Sequence, residues 1–364
     1  MGMIRDIMLD CRQDAASWPL RAALRLLAVL YGVLVWARNF LYDREILKSR
    51  QVPCRVICIG NLTAGGSGKT PLVVMTARML GEHGVKVAVV SRGYRRETKG
   101  ALVVSDGVRI ATPAESGDEP HLIAASLPGV PVVVGENRYE AAMLACARFK
   151  PETIVLDDGF QHRGLWRDID LLAMDAANPV GSDYLLPRGL LREPAKNMKR
   201  AKAVVFTRVS AENPREPAER AVRYYSRAVP LFWTQVEPDG LREPGGTGSE
   251  PVAALAGKKV AALSNMANPA SFYAILEQAG ADIVLKQPMP DHHRYAVAEI
   301  GTVLERARAA GAECLVMTAK DERNLPADTP SAIMPVRVLD IRAVLIDQEQ
   351  DFLSLILPYG KRTQ

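Results

Sequence analysis

The stretch that most constrains this chain is "RVICIGNLTAGGSGKTP", residues 55–71. An apolar run rich in β-branched residues ends in a glycine-rich turn that closes on Gly68, Lys69 and Thr70, and a helix-forming stretch follows at 71–82. A phosphate-binding loop works through backbone N–H groups that converge on a phosphate, and glycines let the backbone approach closely. Gly65, Gly66 and Gly68 supply that freedom, with Ser67 between them. Lys69 stands where an ammonium spans the β- and γ-phosphates of a nucleotide, and Thr70 where a hydroxyl meets Mg²⁺. The usual pattern is G-x-x-x-x-G-K-[ST]; here the first glycine's place holds Thr63, at the loop's entrance, where the turn is less demanding. Pro71 is tolerated because the first turn of a helix has no N–H bond to lose.

A loop of this kind belongs between a strand and a helix, and the surrounding sequence supplies both repeatedly. Short apolar runs recur at 55–60, 85–94, 130–138, 153–159, 168–175 and 201–208, with helix-like stretches such as 71–82 and 138–149 between several of them. Buried strands alternating with helices predict a mostly parallel sheet covered on both faces, with ligands at the carboxyl ends of the strands. "TIVLDDGFQH" (153–162) ends one such strand in Asp157–Asp158, which is where a carboxylate holds the Mg²⁺ shell of a bound nucleotide. Around 210–250 the alternation stops. "AENPREPAER" and "EPDGLREPGGTGSEP" read as linker or surface loop, with "VPLFWTQVEP" between them as an isolated strand. From Lys258 it resumes as a second, smaller α/β unit. The expected division is an N-terminal helical segment (1–45), a phosphate-loop domain (46–225), a linker (226–257) and a smaller C-terminal α/β domain (258–350).

The N-terminal segment "WPLRAALRLLAVLYGVLVWARNFLY" (18–42) is strongly apolar, with Arg21, Arg25 and Arg38 as its only charges. Its uninterrupted stretch from Leu26 to Ala37 is short of the ~20 residues of a clean membrane span. No small-residue cleavage site follows it, so a signal peptide is disfavoured. An interfacial helix, with Trp18, Trp36 and Tyr42 at the water–lipid boundary, and a buried core helix both remain open. A hydrophobic fraction of 48% over 364 residues excludes a disordered chain and a multi-span membrane protein. Five scattered cysteines with no CxxC pair argue against a disulfide framework or a structural zinc site. The net charge of +5 identifies no partner by itself, and neither nucleic acid nor an obligate protein partner is expected.

Further stretches carry chemistry-bearing residues. "ESGDEPHLIA" sets Asp118–Glu119 at the start of a helix, where a cap is the simplest role. "GENRYEAA" ends a strand with Asn137 and Arg138, "LLPRGLLREP" gathers Arg188, Arg192 and Glu193, and "PDHHRY" holds a histidine pair beginning at His292. Taken in order, "IGNLTAGGSGKTP", "SRGY", "GDEP", "ENR", "LDDGFQHR", "LLPRGLLREP" and "DHH" resemble the tetraacyldisaccharide 4′-kinases, the lipid A 4′-kinases of Gram-negative bacteria, within the P-loop NTPase superfamily. "TAKDERNL" (318–325) is a weaker echo, and the likeness runs from about residue 20 to 345. Switch ATPases of the division-site-selection type have a similar loop, but Ala64 stands where they carry their signature lysine.

The resemblance implies two α/β/α domains joined by a two-stranded linker, with the γ-phosphate of ATP transferred to the 4′-hydroxyl of an acylated glucosamine disaccharide 1-phosphate. It also implies work at the cytoplasmic face of the inner membrane, through an N-terminal hydrophobic helix, which favours the interfacial reading. Carried onto these residues, the loop from Gly65 to Thr70 holds ATP, while Thr70 with Asp157 or Asp158 holds Mg²⁺. Asp118 takes the proton of the sugar hydroxyl, paired with His292. Glu119, Asn137, Arg138, Gln161, His162, Arg188, Arg192 and Glu193 are the expected substrate-side residues, the arginines for the acceptor's 1-phosphate or the transferring group. A P-loop switch or metallochaperone, and a small-molecule kinase whose first helix is core, are the readings from other classes.

Overall fold

The structure, a computed structural model, describes residues 6–9, 14–209, 215–246, 250–265, 269–290, 293, 295–326 and 333–358. The chain forms two compact units, one of residues 1–235 with 343–364 and one of residues 236–342. The sequence reading divided it at 225/226 and 257/258. The chain leaves the first unit inside strand β8 (Leu231–Arg242) and returns inside β12 (Val336–Leu345).

In the first unit, β1 (Arg55–Gly60) leads through the glycine-rich loop into α2 (Lys69–Glu82). There follow β2 (Val87–Ser91), β3 (Leu102–Ser105), α3 (Asp118–Ser126), β4 (Val132–Val134), α4 (Arg138–Phe149), β5 (Thr153–Asp157), β6 (Ile169–Asp175) and β7 (Ala203–Thr207). The sheet runs β8-β7-β6-β1-β5-β2-β4-β3. Every pairing is parallel except β3 against β4. Strand alternation sorts the core into two layers. Ile57 and Ile59 of β1 pack with Leu72, Val73 and Leu80 of α2 on one face, and Val56 and Cys58 pack with Ala141, Ala142 and Ala145 of α4 on the other. β5 lies beside β1 with Asp157 opposite Ile59, so the carboxylate pair and the glycine-rich loop leave the sheet at the same point.

Two expectations about 210–250 need correction. Residues Arg215–Tyr225 form a helix, α5, because Ala218 and Val222, one turn apart, bury against the sheet. β8 is not isolated. Its first residues pair in parallel with β7, and Phe232 meets Phe352 of the C-terminal helix α8 (Glu349–Ile356) edge-on at 5.1 Å. Charge and proline hid α5, and the long gap before β8 hid its partner.

The N-terminal helix α1 spans Trp18–Asp43, with Pro19 in its first turn. Its buried residues are Leu24, Ala28, Val35 and Asn39, a narrow seam at helical spacing. Around the rest of the helix Leu26, Leu27, Val29, Leu30, Val33, Leu34 and Trp36 stand between 50% and 70% exposed. A core helix would bury these residues, so the core alternative does not hold. By length and composition alone α1 is also long and apolar enough to cross a membrane.

The second unit holds β9 (Lys259–Ser264), α6 (Ala270–Gln278), β10 (Asp282–Pro288), α7 (Val297–Ala309) and β11 (Cys314–Thr318), with strand order β10-β9-β11-β12, all parallel. Again the strands alternate, Ala261 and Leu263 packing with α7 and Val260 and Ala262 with α6. Asp321, fully buried within "TAKDERNL", accepts hydrogen bonds from Tyr295 Oη (2.7 Å), the Asn265 amide (2.8 Å) and Thr318 Oγ1 (2.5 Å). That motif is a structural hub of this unit.

Candidate active site

The loop after β1 needs no glycine at Thr63 because that residue is held as a short strand. It makes an antiparallel bridge with Leu191, flanked by Ala64 N–H to Leu190 O (2.6 Å) and Arg192 N–H to Leu62 O (2.7 Å). Glycine is needed further on. Gly65 and Gly68 have φ of +110° and +69°, and a Cβ on Gly68 would sit 2.9 Å from the Thr207 side chain. Three polar residues that the motif does not name hold the loop. Buried Asn61 donates to Thr63 O (2.6 Å) and Ser67 Oγ (2.9 Å), Gln161 Nε2 donates to Asn61 O (2.9 Å), and Thr207 Oγ1 donates to Ser67 O (2.9 Å). Asn61 and Thr207 lie at the carboxyl ends of β1 and β7, and Asn61 also falls within the quoted "IGNLTAGGSGKTP".

The adjacent carboxylates have opposite environments. Asp157 is buried and accepts from Ser91 Oγ at 2.7 Å. Burial, and then the negative charges of Glu119 and Asp158, push its carboxyl up to about 7, against the pull of Ser91 and Lys69. Asp158, at φ +50°, turns out of the strand toward the cations. Lys69 Nζ lies 3.5 Å from its Oδ1, and Arg192 Nη1 lies 2.9 Å and 3.0 Å from its two oxygens. Burial raises the Asp158 carboxyl, but Lys69 and Arg192 outweigh it and hold the group below the ordinary carboxylate range. Two carboxylates pushed apart in this way are a mark of a reactive site.

The remaining expected residues fall into two sets. Asp118 and Glu119 open α3, exposed in its first turn, where a helix end favours negative charge. Glu119 is close enough to raise Asp157. Arg138 is buried, donates to Glu136 O at 2.9 Å, and feels both aspartates; burial and Arg92 lower its guanidinium, which the aspartates partly restore. Burial, then the cations Arg138, Arg167, Arg92 and Arg38, push the His162 imidazole down to about 4, so it is neutral at physiological pH. Other expected residues have structural partners. Asn137 caps α4 by accepting from the Tyr139 and Glu140 amides. Arg188 and Glu193 likewise have partners within the protein. Arg188 is fully buried, donates to Ile7 O at 2.6 Å and stacks on Tyr184. Glu193 is fully buried and accepts from Arg38, Asn39, Asn197 and Arg200. His292 lies outside the described residues.

The residues present suit a nucleotide with Mg²⁺. Gly68 caps α2 with no side-chain acceptor, and the first turn contains no acidic residue, so its amides suit an anion. Among the described residues no group of three or more His, Cys, Asp or Glu side chains is arranged for a metal. Thr70 and the Asp157–Asp158 pair are hard oxygen donors, which suits Mg²⁺, a cation that takes one or two carboxylates together with substrate phosphates.

A strand–loop–helix phosphate cradle with its lysine, its threonine and a carboxylate pair on the neighbouring strand defines a P-loop phosphotransferase site. The model of the tetraacyldisaccharide-1-P 4′-kinase family, LpxK, matches residues 20–359, and the chain belongs to that family. It is 39% identical to the tetraacyldisaccharide 4′-kinase of Syntrophus aciditrophicus (strain SB), covering 94% of both chains. With the enzyme of that name from Geobacter sulfurreducens it shares 40% identity, over 90% of this chain and 91% of the other. Among solved structures it resembles LpxK from Aquifex aeolicus in complex with ATP, with a TM-score of 0.74 and 32% identity over 93% of this chain and 98% of that one.

Proposed function

We propose that the chain transfers the γ-phosphate of ATP to the 4′-hydroxyl of a tetraacylated glucosamine disaccharide 1-phosphate lodged in a membrane. The observation that carries this reading is the convergence of Lys69, Asp158 and Arg192 at the mouth of the glycine-rich loop. Phosphoryl transfer asks a protein mainly for positioning and charge neutralisation. Lys69 and the loop amides hold the β- and γ-phosphates, and Arg192 neutralises charge beside the transferring group. Thr70 and the Asp157–Asp158 pair hold Mg²⁺, which when bound neutralises phosphate charge. Arg138 adds positive charge to the same cleft. Asp118 orients the sugar hydroxyl and accepts its proton, and His292 is proposed as its partner through family likeness alone. A carboxylate is a weak base, so orientation is much of that work.

The acceptor carries acyl chains, and the exposed apolar face of α1 suits the lipid surface that holds them. We place that surface at the cytoplasmic side of the inner membrane, where ATP is present.

The test is transfer of label from [γ-³²P]ATP to disaccharide 1-phosphate in detergent micelles, with the product read by mass. Gain of one phosphoryl group at the 4′ position is expected. Label appearing only as free phosphate, with the acceptor mass unchanged, would reject the reading.

A further inference from the structure

The consecutive residues Arg192 and Glu193 face different parts of the molecule. The Arg192 guanidinium pairs with Asp158, and its amide donates to Leu62 O at the entrance of the phosphate loop. Its carbonyl accepts from the Tyr31 hydroxyl of α1 at 2.8 Å. Buried Glu193 accepts from Arg38 (3.0 Å) and Asn39 (3.0 Å) of α1, and from Asn197 (2.8 Å) and Arg200 (2.8 Å) beyond the loop. Arg163 closes the same seam, donating to Asn39 O (3.2 Å) and pairing with Asp43 (2.8 Å). α1 packs close to the 185–194 segment, since a Cβ on Gly32 would fall 2.9 Å from Leu185 Cδ1. A buried carboxylate with this many donors resists displacement, because moving any one member leaves polar groups unmatched.

We propose that α1 is a positioning element of the phosphotransfer site as well as a membrane contact. Docking through Tyr31, Arg38 and Asn39 fixes the Arg192–Glu193 step, and that step fixes the Arg192 guanidinium on Asp158. Tyr31 and Glu193 are positioning residues, and Arg192 is the group through which they act. The inference rests on the Lys69–Asp158–Arg192 cluster being the phosphotransfer site. The outward face of α1 then governs where the enzyme works, and its inward seam governs how fast.

The test compares Tyr31→Phe and Glu193→Gln with the parent at saturating ATP and saturating micellar acceptor, with thermal midpoints measured alongside. Tyr31→Phe keeps the ring and removes one hydrogen bond, so it tests the coupling even if Glu193→Gln lowers the thermal midpoint; a Glu193→Gln variant that melts with the parent should lower kcat in the same way. A misplaced catalytic group lowers turnover, so Tyr31→Phe should reduce kcat about fivefold or more, with both KM values within about twofold of the parent. Hydrogen–deuterium exchange at the Ala64 and Arg192 amides should quicken in the same variant, because both pair the phosphate loop with the 190–192 segment. An unchanged kcat overturns the proposal, as does a rise in acceptor KM with kcat intact, which would make α1 a binding element only. If the parent transfers nothing to the disaccharide, the reaction assignment fails and the exchange data decide alone: faster exchange upholds the coupling, and unchanged exchange overturns it.

Discussion

Helices α1 and α2 are built for opposite surroundings. α2 buries Leu72, Val73, Ala77 and Leu80 against the sheet, and its amino end faces the carboxylates. α1 turns Leu27, Leu30 and Leu34 outward and offers the protein a seam containing Tyr31, Arg38 and Asn39. In water α2 is the ordinary case, and α1 makes sense only where its outer face meets something apolar. One chain therefore holds a helix suited to phosphate a short distance from a helix suited to lipid, which is what an acceptor with a charged head and acyl chains requires.

The most severe way to break the phosphate side is Lys69→Ala. Losing the ammonium that follows charge into the transition state should lower kcat by about 10²-fold or more. Liposome flotation of this variant should match the parent. The proposed pair comes next. Asp118→Ala and His292→Ala should each lower kcat strongly, and if they act as a unit the double variant should be scarcely worse than the poorer single. Free-energy penalties that sum to within about 0.5 kcal/mol in a four-enzyme cycle would show two independent roles.

A smaller effect sharpens the contrast between the helices directly. Leu72→Ala should cost about 2–5 kcal/mol of stability in denaturant titration, whereas Leu27→Ala, half exposed, should change it by less than about 0.5 kcal/mol. Comparable losses would mean that α1 is part of the core after all.

The last contrast concerns the pH dependence of stability, at Asp157. Its folded pKa lies above its unfolded value, so the folded state holds the proton more tightly and stability falls as pH rises from about 4 to 7. Asp157→Asn removes that penalty and can still accept from Ser91. Without Mg²⁺ it should raise the thermal midpoint above pH 7, a gain that fades as pH falls toward 4. Thermal melts at several pH values check this, and a gain that grows toward acid would reverse the assigned sign. The same variant should lose most of its transfer activity.

Much of this was readable in the sequence because the chemistry is local there. Gly65 to Thr70 are contiguous, and Asp157–Asp158 ends an apolar run, so the loop, the carboxylate pair and the parallel sheet could be placed from spacing and alternation. Arg188, Arg192 and Glu193 could not be separated. Within a nonhelical loop no periodicity tells which side chain faces the cleft, and of the three only Arg192 reaches the carboxylates. Asn61, Ser91 and Thr207 escaped notice because a single polar residue at a strand end looks like any other turn. The residues of α1 alone left two readings open, since apolar residues all round read alike whether they meet a core or a membrane, and only the family resemblance favoured the interface.

The most direct measurement is phosphoryl transfer to disaccharide 1-phosphate embedded in liposomes, with parent, Lys69→Ala and Leu27→Ser/Leu30→Ser/Leu34→Ser side by side, each repeated on micellar acceptor. Each buried leucine contributes roughly 1.5–3 kcal/mol to membrane association. The triple variant should therefore lose flotation and transfer on liposomes yet keep turnover in micelles, while Lys69→Ala should float and transfer about 10²-fold more slowly or worse in both. Parental turnover by Lys69→Ala, or liposome transfer by the triple variant equal to the parent's, would contradict the account.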